Sequence, residues 1–271
     1  EKEGKGYVVH KGKPGSLYNE LGYAVLSSDG SRFAYSAKVD DQWRMVVDGV
    51  EGESFTEIIN PLFSPDGRHV LYPAMKDGVW HLVVDTTVNK STGTRYRTPH
   101  FSADSGSIIY IDKIDDKTDT GRLVIWNIRL KKERIINSGA TSFVLSADKS
   151  AVAAIVKSIN GRESVIQFTF AKPDVVMKGA DFDRVSNFLF APTGADLAYF
   201  GEQQGKTYGL FNGQEEMLPE GLTPLDIVIN PTGKSVGILV SAKNSVYLYQ
   251  MFRNSGRLGN VYDEAEWLVY S

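Results

Sequence analysis

The chain has 271 residues, 42% hydrophobic and 23% charged, with a formal net charge of −3 and no cysteine. That is enough sequence to bury a real core, with none of the basic excess that a phosphate backbone requires. The missing thiols remove disulfides, thiol catalysis and thiolate metal sites together. Apolar runs such as Ala151 to Val156 are far too short to cross a bilayer. The expectation is therefore a globular protein that neither binds nucleic acid nor inserts into a membrane.

In chain order, "YVVHKGKPGSLYNE" from Tyr7 to Glu20 comes first and reads as two short strands. "YAVLSSDGSRFAYSAKVDDQWRMVVDGV" from Tyr23 to Val50 follows, then "NPLFSPDGRHVLYPAMKDGVWHLVVDTT" from Asn60 to Thr87 with almost the same layout. Each reads as strand, tight turn, strand, loop, strand. The turns recur along the chain at Asp29, Asp66, Asp104, Asp148, Thr193 and Thr232, with gaps of 37, 38, 44, 45 and 39 residues. A mean period of about 41 residues signals a repeat architecture.

The columns around these anchors are physical. Three residues before them stand Leu26, Phe63, Phe101, Leu145, Phe190 and Ile229, and four after stand Phe33, Val70, Ile108, Val152, Leu197 and Val236. Six after stand Tyr35, Tyr72, Tyr110, Ala154, Tyr199 and Ile238. The last two columns share one strand face, because side chains alternate with period two. A third strand rich in Val, Tyr, Phe and Trp follows each pair, as in "WRMVVDG" and "WHLVVDT", and a weaker fourth follows in "SFTEI" and "ERIIN". No segment has a helical period with caps. Four strands in about 41 residues, repeated, predict an all-β fold of β-propeller blades in one domain over residues 1–271. A β-sandwich would leave the steady period unexplained.

"LFSPDGRHVLYPAMKDGVWHLVVD" and "VLSSDGSRFAYSAKVDDQWRMVVDG" resemble the WD-repeat-like blades of the TolB type, whose usual form is an apolar strand, Ser-Pro-Asp-Gly, and a strand ending Ala-Tyr. The match is close over 23–87, recognisable over 98–128 and weak from 141 to 252. The Trp-Asp pair that closes the third strand in true WD repeats is absent. The resemblance implies a propeller and a bacterial protein working in the periplasm or outside the cell, with the cytoplasm left open. The family includes protein-binding scaffolds, domains fused to peptidases, and lyases.

Residues 7–20 align with the third and fourth strands of a blade, and the tail "YDEAEWLVYS" aligns with a first strand. Six anchored units and these pieces predict seven blades, one shared between the termini. Seven units would need about 284 residues, which leaves the shared blade one strand short. The alternative is six blades.

Candidate chemistry is sparse. "GKSVG" at 233–237 fits the nucleophile-elbow pattern, but Ser235 enters a strand and no helix follows. Asp112, Asp115, Asp116 and Asp119 crowd one loop without the spacing of a calcium hand; calcium there stays open. His10, His69, His81 and His100 fall on different strands and are not expected to converge. Trp43 and Trp80 are read as packing between blades, and Trp126 as core. No catalytic residue, metal or cofactor is expected. The column six before each anchor holds Tyr23, Asn60, Thr98, Ser142, Asn187 and Asp226, with Trp267 by alignment of the tail, and none is aliphatic. With His100, these are the candidate binding residues at one mouth of the central channel, and Arg97 and Arg184 lie nearby. The expected function is a non-catalytic scaffold for a protein or peptide; the alternative is a hydrolase or lyase acting on a carbohydrate or peptide there.

Overall fold

The structure, a computed structural model, describes residues 5–93, 96–230, 232, 236–242, 245–251 and 257–262. Among these every regular element is a β-strand, paired antiparallel with its neighbours. The chain divides into two compact halves, Glu1–Ser138 and Gly139–Ser271.

The first half opens with a hairpin of two-residue strands, Val9–His10 and Lys13–Pro14. The first repeat follows as a meander of Glu20–Leu26, Phe33–Val39, Gln42–Val47 and Val50–Phe55. In the second repeat two pieces, Glu57–Ile58 and Leu62–Phe63, both pair with Val70–Lys76; Val79–Val84 and Thr87–Gly93 follow. The third comprises Arg97–Phe101, Ser107–Asp112, Gly121–Asn127 and the start of a long strand, Lys132–Leu145. In the second half, the end of that strand opens a fourth repeat with Ala151–Lys157, Glu163–Thr169 and Lys172–Lys178. The fifth is Arg184–Phe190, Leu197–Gln203, Lys206–Phe211 and Gln214–Met217, and the sixth Thr223–Ile229, Val236–Ala242, Ser245–Met251 and Arg257–Tyr262.

The fourth strands correct the reading of the sequence. "SFTEI" is not one strand: the fourth strand is Val50–Phe55, and Glu57–Ile58 already belongs to the second sheet. Asp48 and Gly49 both have positive φ, 52° and 86°, so a two-residue turn starts the strand at Val50 at once. Thr56 then makes the crossing, its N–H and hydroxyl each 2.9 Å from the carbonyl of Met75. "ERIIN" lies inside Lys132–Leu145, which continues unbroken into the next first strand.

The second strands are buried on both faces, and the period of two explains how. In the fifth repeat Leu197, Tyr199 and Leu210 pack with Ala151, Ala153 and Val165 of the fourth. The intervening Ala198, Phe200 and Phe211 pack with Ile227, Ile238 and Val240 of the sixth. In the first half Val70, Tyr72 and Ala74 join Ala34, Met45 and Phe55 of the first repeat, while Leu71, Leu82 and Val84 join Ile108, Tyr110 and Trp126 of the third. Each large apolar side chain so buried stabilises the fold by about 1.5–3 kcal/mol relative to exposure. Trp126 is core, and Trp43 packs half-buried against the cluster between the first two sheets, as the sequence predicts.

One member of the apolar column before the anchors departs. Leu26 is 58% exposed. The hairpin beside the first sheet supplies Val8 and Tyr18 to a shared cluster with Tyr35 and Val46, but its two-residue strands are too short to cover Leu26.

Candidate functional site

Each repeat has two ends. Antiparallel order puts the anchor turn and the turn between third and fourth strands at one end, and the starts of first strands at the other.

The anchor end is held by a repeated polar device. Ser27 Oγ donates to Asp29 Oδ1 (2.6 Å) and accepts from Arg32 N–H (3.0 Å), while Asp29 Oδ1 accepts Ser31 N–H (3.0 Å). Ser64 with Asp66, Ser102 with Asp104 and Ser146 with Asp148 repeat the same bonds. All four serines are buried. The serine hydroxyl leads the causes that lower these carboxyls: Asp29 falls to about 2, and Asp66, Asp104 and Asp148 move in the same direction. These displaced acids serve the turns. In the fifth repeat Ala191 replaces the serine, and in the sixth Asn230 donates through Nδ2 to Thr232 Oγ1 at 2.8 Å.

The opposite end carries the candidate binding column, and the backbone is irregular there in all six repeats. Pairing of first with second strand slips by one residue between Leu21 and Ala24, Arg97 and His100, Ala140 and Ser142, Ser186 and Leu189, and Pro224 and Asp226. In the second repeat the slip cuts the strand, with Ile58 opposite Ala74 and then Leu62 opposite Leu71. These β-bulges coincide with the polar column, five to seven residues before the anchors. A bulge leaves a residue out of the ladder and re-aims its side chain. Asn60 and Asn187 take up the irregularity with φ of 43° and 48°, a left-handed conformation that Asn tolerates. Gly22 allows the first bulge, because a Cβ there would run into Ser36 Oγ and the Trp43 ring.

The predicted residues fall as follows. Tyr23 lies in its bulge and is 50% exposed. Asn60, His100, Asn187 and Asp226 are exposed and Ser142 is half-buried. Thr98 lies in the bulge between Arg97 and His100. Asn187 Nδ2 donates to the carbonyl of Leu225, the bulge residue of the next repeat, at 3.1 Å, so part of its role is to tie two bulges together. Asp226 Oδ1 accepts Ile227 N–H at 2.8 Å. Arg97 pairs with Asp119 at 2.6 Å; Asp183 accepts Gln204 N–H rather than pairing with Arg184. Trp267, Glu266 and Ser235 lie outside the described residues. The polar column was visible in the sequence; the bulges were not, since a slip in pairing leaves no mark on apolar periodicity beyond one extra residue.

The acidic loop is committed to its own fold. Asp112 is fully buried and takes a two-pronged bond from Arg122, 2.8 Å to Oδ1 and 2.5 Å to Oδ2. Burial pushes the Asp112 carboxyl up against the pull of Arg122, whose own pKa is raised by the pairing. Asp115 Oδ1 accepts Lys117 and Thr118 N–H, both at 2.9 Å, and its pKa is lowered by those bonds. His69 Nδ1 bonds Asp85 at 2.8 Å and His10 packs on the Phe33 ring at 4.2 Å. Among the described residues no three His, Asp or Glu side chains are grouped to hold a metal.

With this geometry in hand, similarity to solved proteins bears on the fold. The chain is similar to the propeller of Dos1, at a TM-score of 0.54 and 13% identity over 96% of this chain and 74% of that one. It is also similar to a eukaryotic initiation factor, at 0.52 and 13% identity over 89% of this chain, and spans 65% of that chain's length. A TolB structure from Acinetobacter baumannii aligns at 0.40 and 14% identity, over 86% of this chain and 66% of that one, too loosely to argue from. No protein-family profile and no curated protein sequence matches. At these identities the likeness concerns architecture alone: the fold is all-β and of propeller type.

Proposed function

We propose that the chain is a non-catalytic interaction module, a single propeller of the TolB-like, WD-repeat-like kind over residues 1–271. Seven blades is the reading that uses the N-terminal hairpin as a third and fourth strand and the tail as a first strand. Its binding surface is the channel mouth where first strands begin, formed by Tyr23, Asn60, Thr98, His100, Ser142, Asn187 and Asp226, with Trp267 from the tail. Its partner is a protein or peptide. The resemblance of the repeats to the TolB type favours the periplasm or the cell exterior.

The observation that carries this reading is the coincidence of six bulges with one polar and aromatic column. The serine and aspartate groups of the anchor turns are spent on those turns; the bulged end presents Tyr23 and several amide and carboxylate groups to solvent. An aromatic surface with scattered hydrogen-bonding groups suits peptide recognition. The test is capture from the cells that make the protein, comparing wild type with a Tyr23→Ala, Asn60→Ala, Asp226→Ala variant of unchanged thermal midpoint. Loss of a specific partner supports the reading. Equal capture of every protein by both overturns it, and turnover of an oligosaccharide or peptide lost in the same variant replaces it with the enzyme alternative.

A further inference from the structure

A cavity of about 460 Å³ opens at the anchor end of the first half, between the second and third repeats. The repeat itself explains why. Between the first and second repeats Arg32 closes the corresponding gap. Its Nε bonds Asp48 at 2.7 Å, its Nη1 donates to the carbonyls of Gly67 (3.1 Å) and Arg68 (2.7 Å), and it lies 5.4 Å from the centre of the Phe63 ring. One repeat on, the same position holds His69. Asp85 stands where Asp48 stood, accepting Val70 N–H at 2.9 Å as Asp48 accepts Phe33 N–H at 3.0 Å. The shorter imidazole reaches Asp85, at 2.8 Å, and bonds neither Ser105 nor Gly106, the counterparts of Gly67 and Arg68. In the second half Gln167 Nε2 donates to Ala195 O at 2.7 Å across the next such gap, where both residues line a separate cavity of about 400 Å³.

The unsealed gap has a distinctive lining. Trp126 and Val84, both buried, and Ile128 make an apolar wall. His69, Arg129 and Lys131 supply basic groups. Asp85 is the sole acid of the lining, and it is already bonded to His69 and Val70 N–H. Neither Arg129 nor Lys131 has an ion-pair partner among the described residues. Two cations thus stand at the rim of a cavity that reaches the Trp126 indole.

We infer that this cavity binds an organic anion, a carboxylate or phosphate carried on an apolar body of small-molecule size. Arg129 and Lys131 meet the anionic group, Arg as a two-pronged donor and Lys as a point charge. The body lies against Trp126 and Ile128, in a volume ordinary for small ligands. The site lies at the opposite end of the strands from the bulges and does not depend on the function proposed for them.

The test is calorimetric titration of the intact protein with N-acetylphenylalanine, phenyl phosphate, the neutral N-acetylphenylalanine amide and inorganic phosphate. At least one of the two aromatic anions binds in the millimolar range or tighter, the neutral amide at least about tenfold more weakly, a difference of about 1.4 kcal/mol. The two aromatic anions tell a carboxylate site from a phosphate site, and inorganic phosphate reports the charge without the body. His69→Arg restores the sealing side chain of the first repeat and abolishes binding without lowering the thermal midpoint. Should that variant fail to fold, the surface pair Arg129→Ala, Lys131→Ala weakens the anion about tenfold or more. The inference is overturned if neither aromatic anion binds, if the amide binds as well as the tighter of the two anions, or if a folded variant of either kind binds as wild type does.

Discussion

Replacing Ser102 by alanine tests the account of the repeated turn. The hydroxyl donates to Asp104 Oδ1 at 2.6 Å and accepts the N–H of Ser107 at 3.0 Å, in a side chain only 1% exposed. The substitution removes one charge-assisted bond and leaves one partly buried N–H unpaired. A net bond is worth about 1 kcal/mol and an orphaned buried donor costs about 1–3 kcal/mol, so the expected loss is about 2–4 kcal/mol. The same hydroxyl is the leading cause that lowers the Asp104 pKa. A carboxyl lowered in the folded state contributes stability above its unfolded pKa of about 4, and loses it as pH falls through the folded value. Ser102→Ala gives up part of that contribution, so its deficit is larger at neutral pH than in acid. Urea unfolding at neutral pH and again near pH 3 measures both quantities. A variant within about 0.5 kcal/mol of wild type at neutral pH would refute the energetic role of the serine, and an equal deficit at both pH values would refute the coupling to Asp104.

Other outcomes follow from the same structure. Arg122→Ala leaves the buried Asp112 carboxylate without its cation and destabilises by about 3–5 kcal/mol, read by chemical denaturation; little change would mean that the pair is not buried as described. Gly22→Ala forces a Cβ against Ser36 and Trp43 and costs about 1–3 kcal/mol, visible as a lowered thermal midpoint. Tyr199 and Tyr249 are pushed up to about 12, in both cases mainly by burial. Their neutral forms favour the folded state, so stability holds to about pH 10 and falls between there and about 12; absorbance titration should show these phenols ionising with unfolding rather than before it.

The architecture was legible because three signals agreed: the Asp, Pro and Gly turn chemistry, the apolar columns on a period of two, and the spacing of repeats. Tyr35, Tyr72, Tyr110, Ala154, Tyr199 and Ile238, aligned from sequence, are all buried. The fourth strands were misplaced because their start is set by the φ of Asp48 and Gly49 and their end by the crossing at Thr56, neither of which changes the apolar pattern. Leu26 belongs to an apolar column whose other members are buried or half-buried, and its exposure depends on how little the neighbouring hairpin covers, a tertiary fact. The candidate binding residues were found as a polar column, but their shared backbone irregularity needed pairing register to be seen. The anion cavity was out of reach for a similar reason. His69 looked like one of four scattered histidines until its position was matched with Arg32.

The bulges also bear on how such a protein can diversify. A strand that already accommodates an extra residue can gain or lose another near that point without turning its buried face outward, since the slip is absorbed before Ala24, Leu62 or Ser142 begins the regular ladder. The serine–aspartate turns give the other end no such latitude. Library insertions placed beside Tyr23, Asn60 or Asn187 should therefore yield folded variants more often than insertions beside Asp29, Asp66 or Asp104, making the bulged end a natural place to graft new recognition loops.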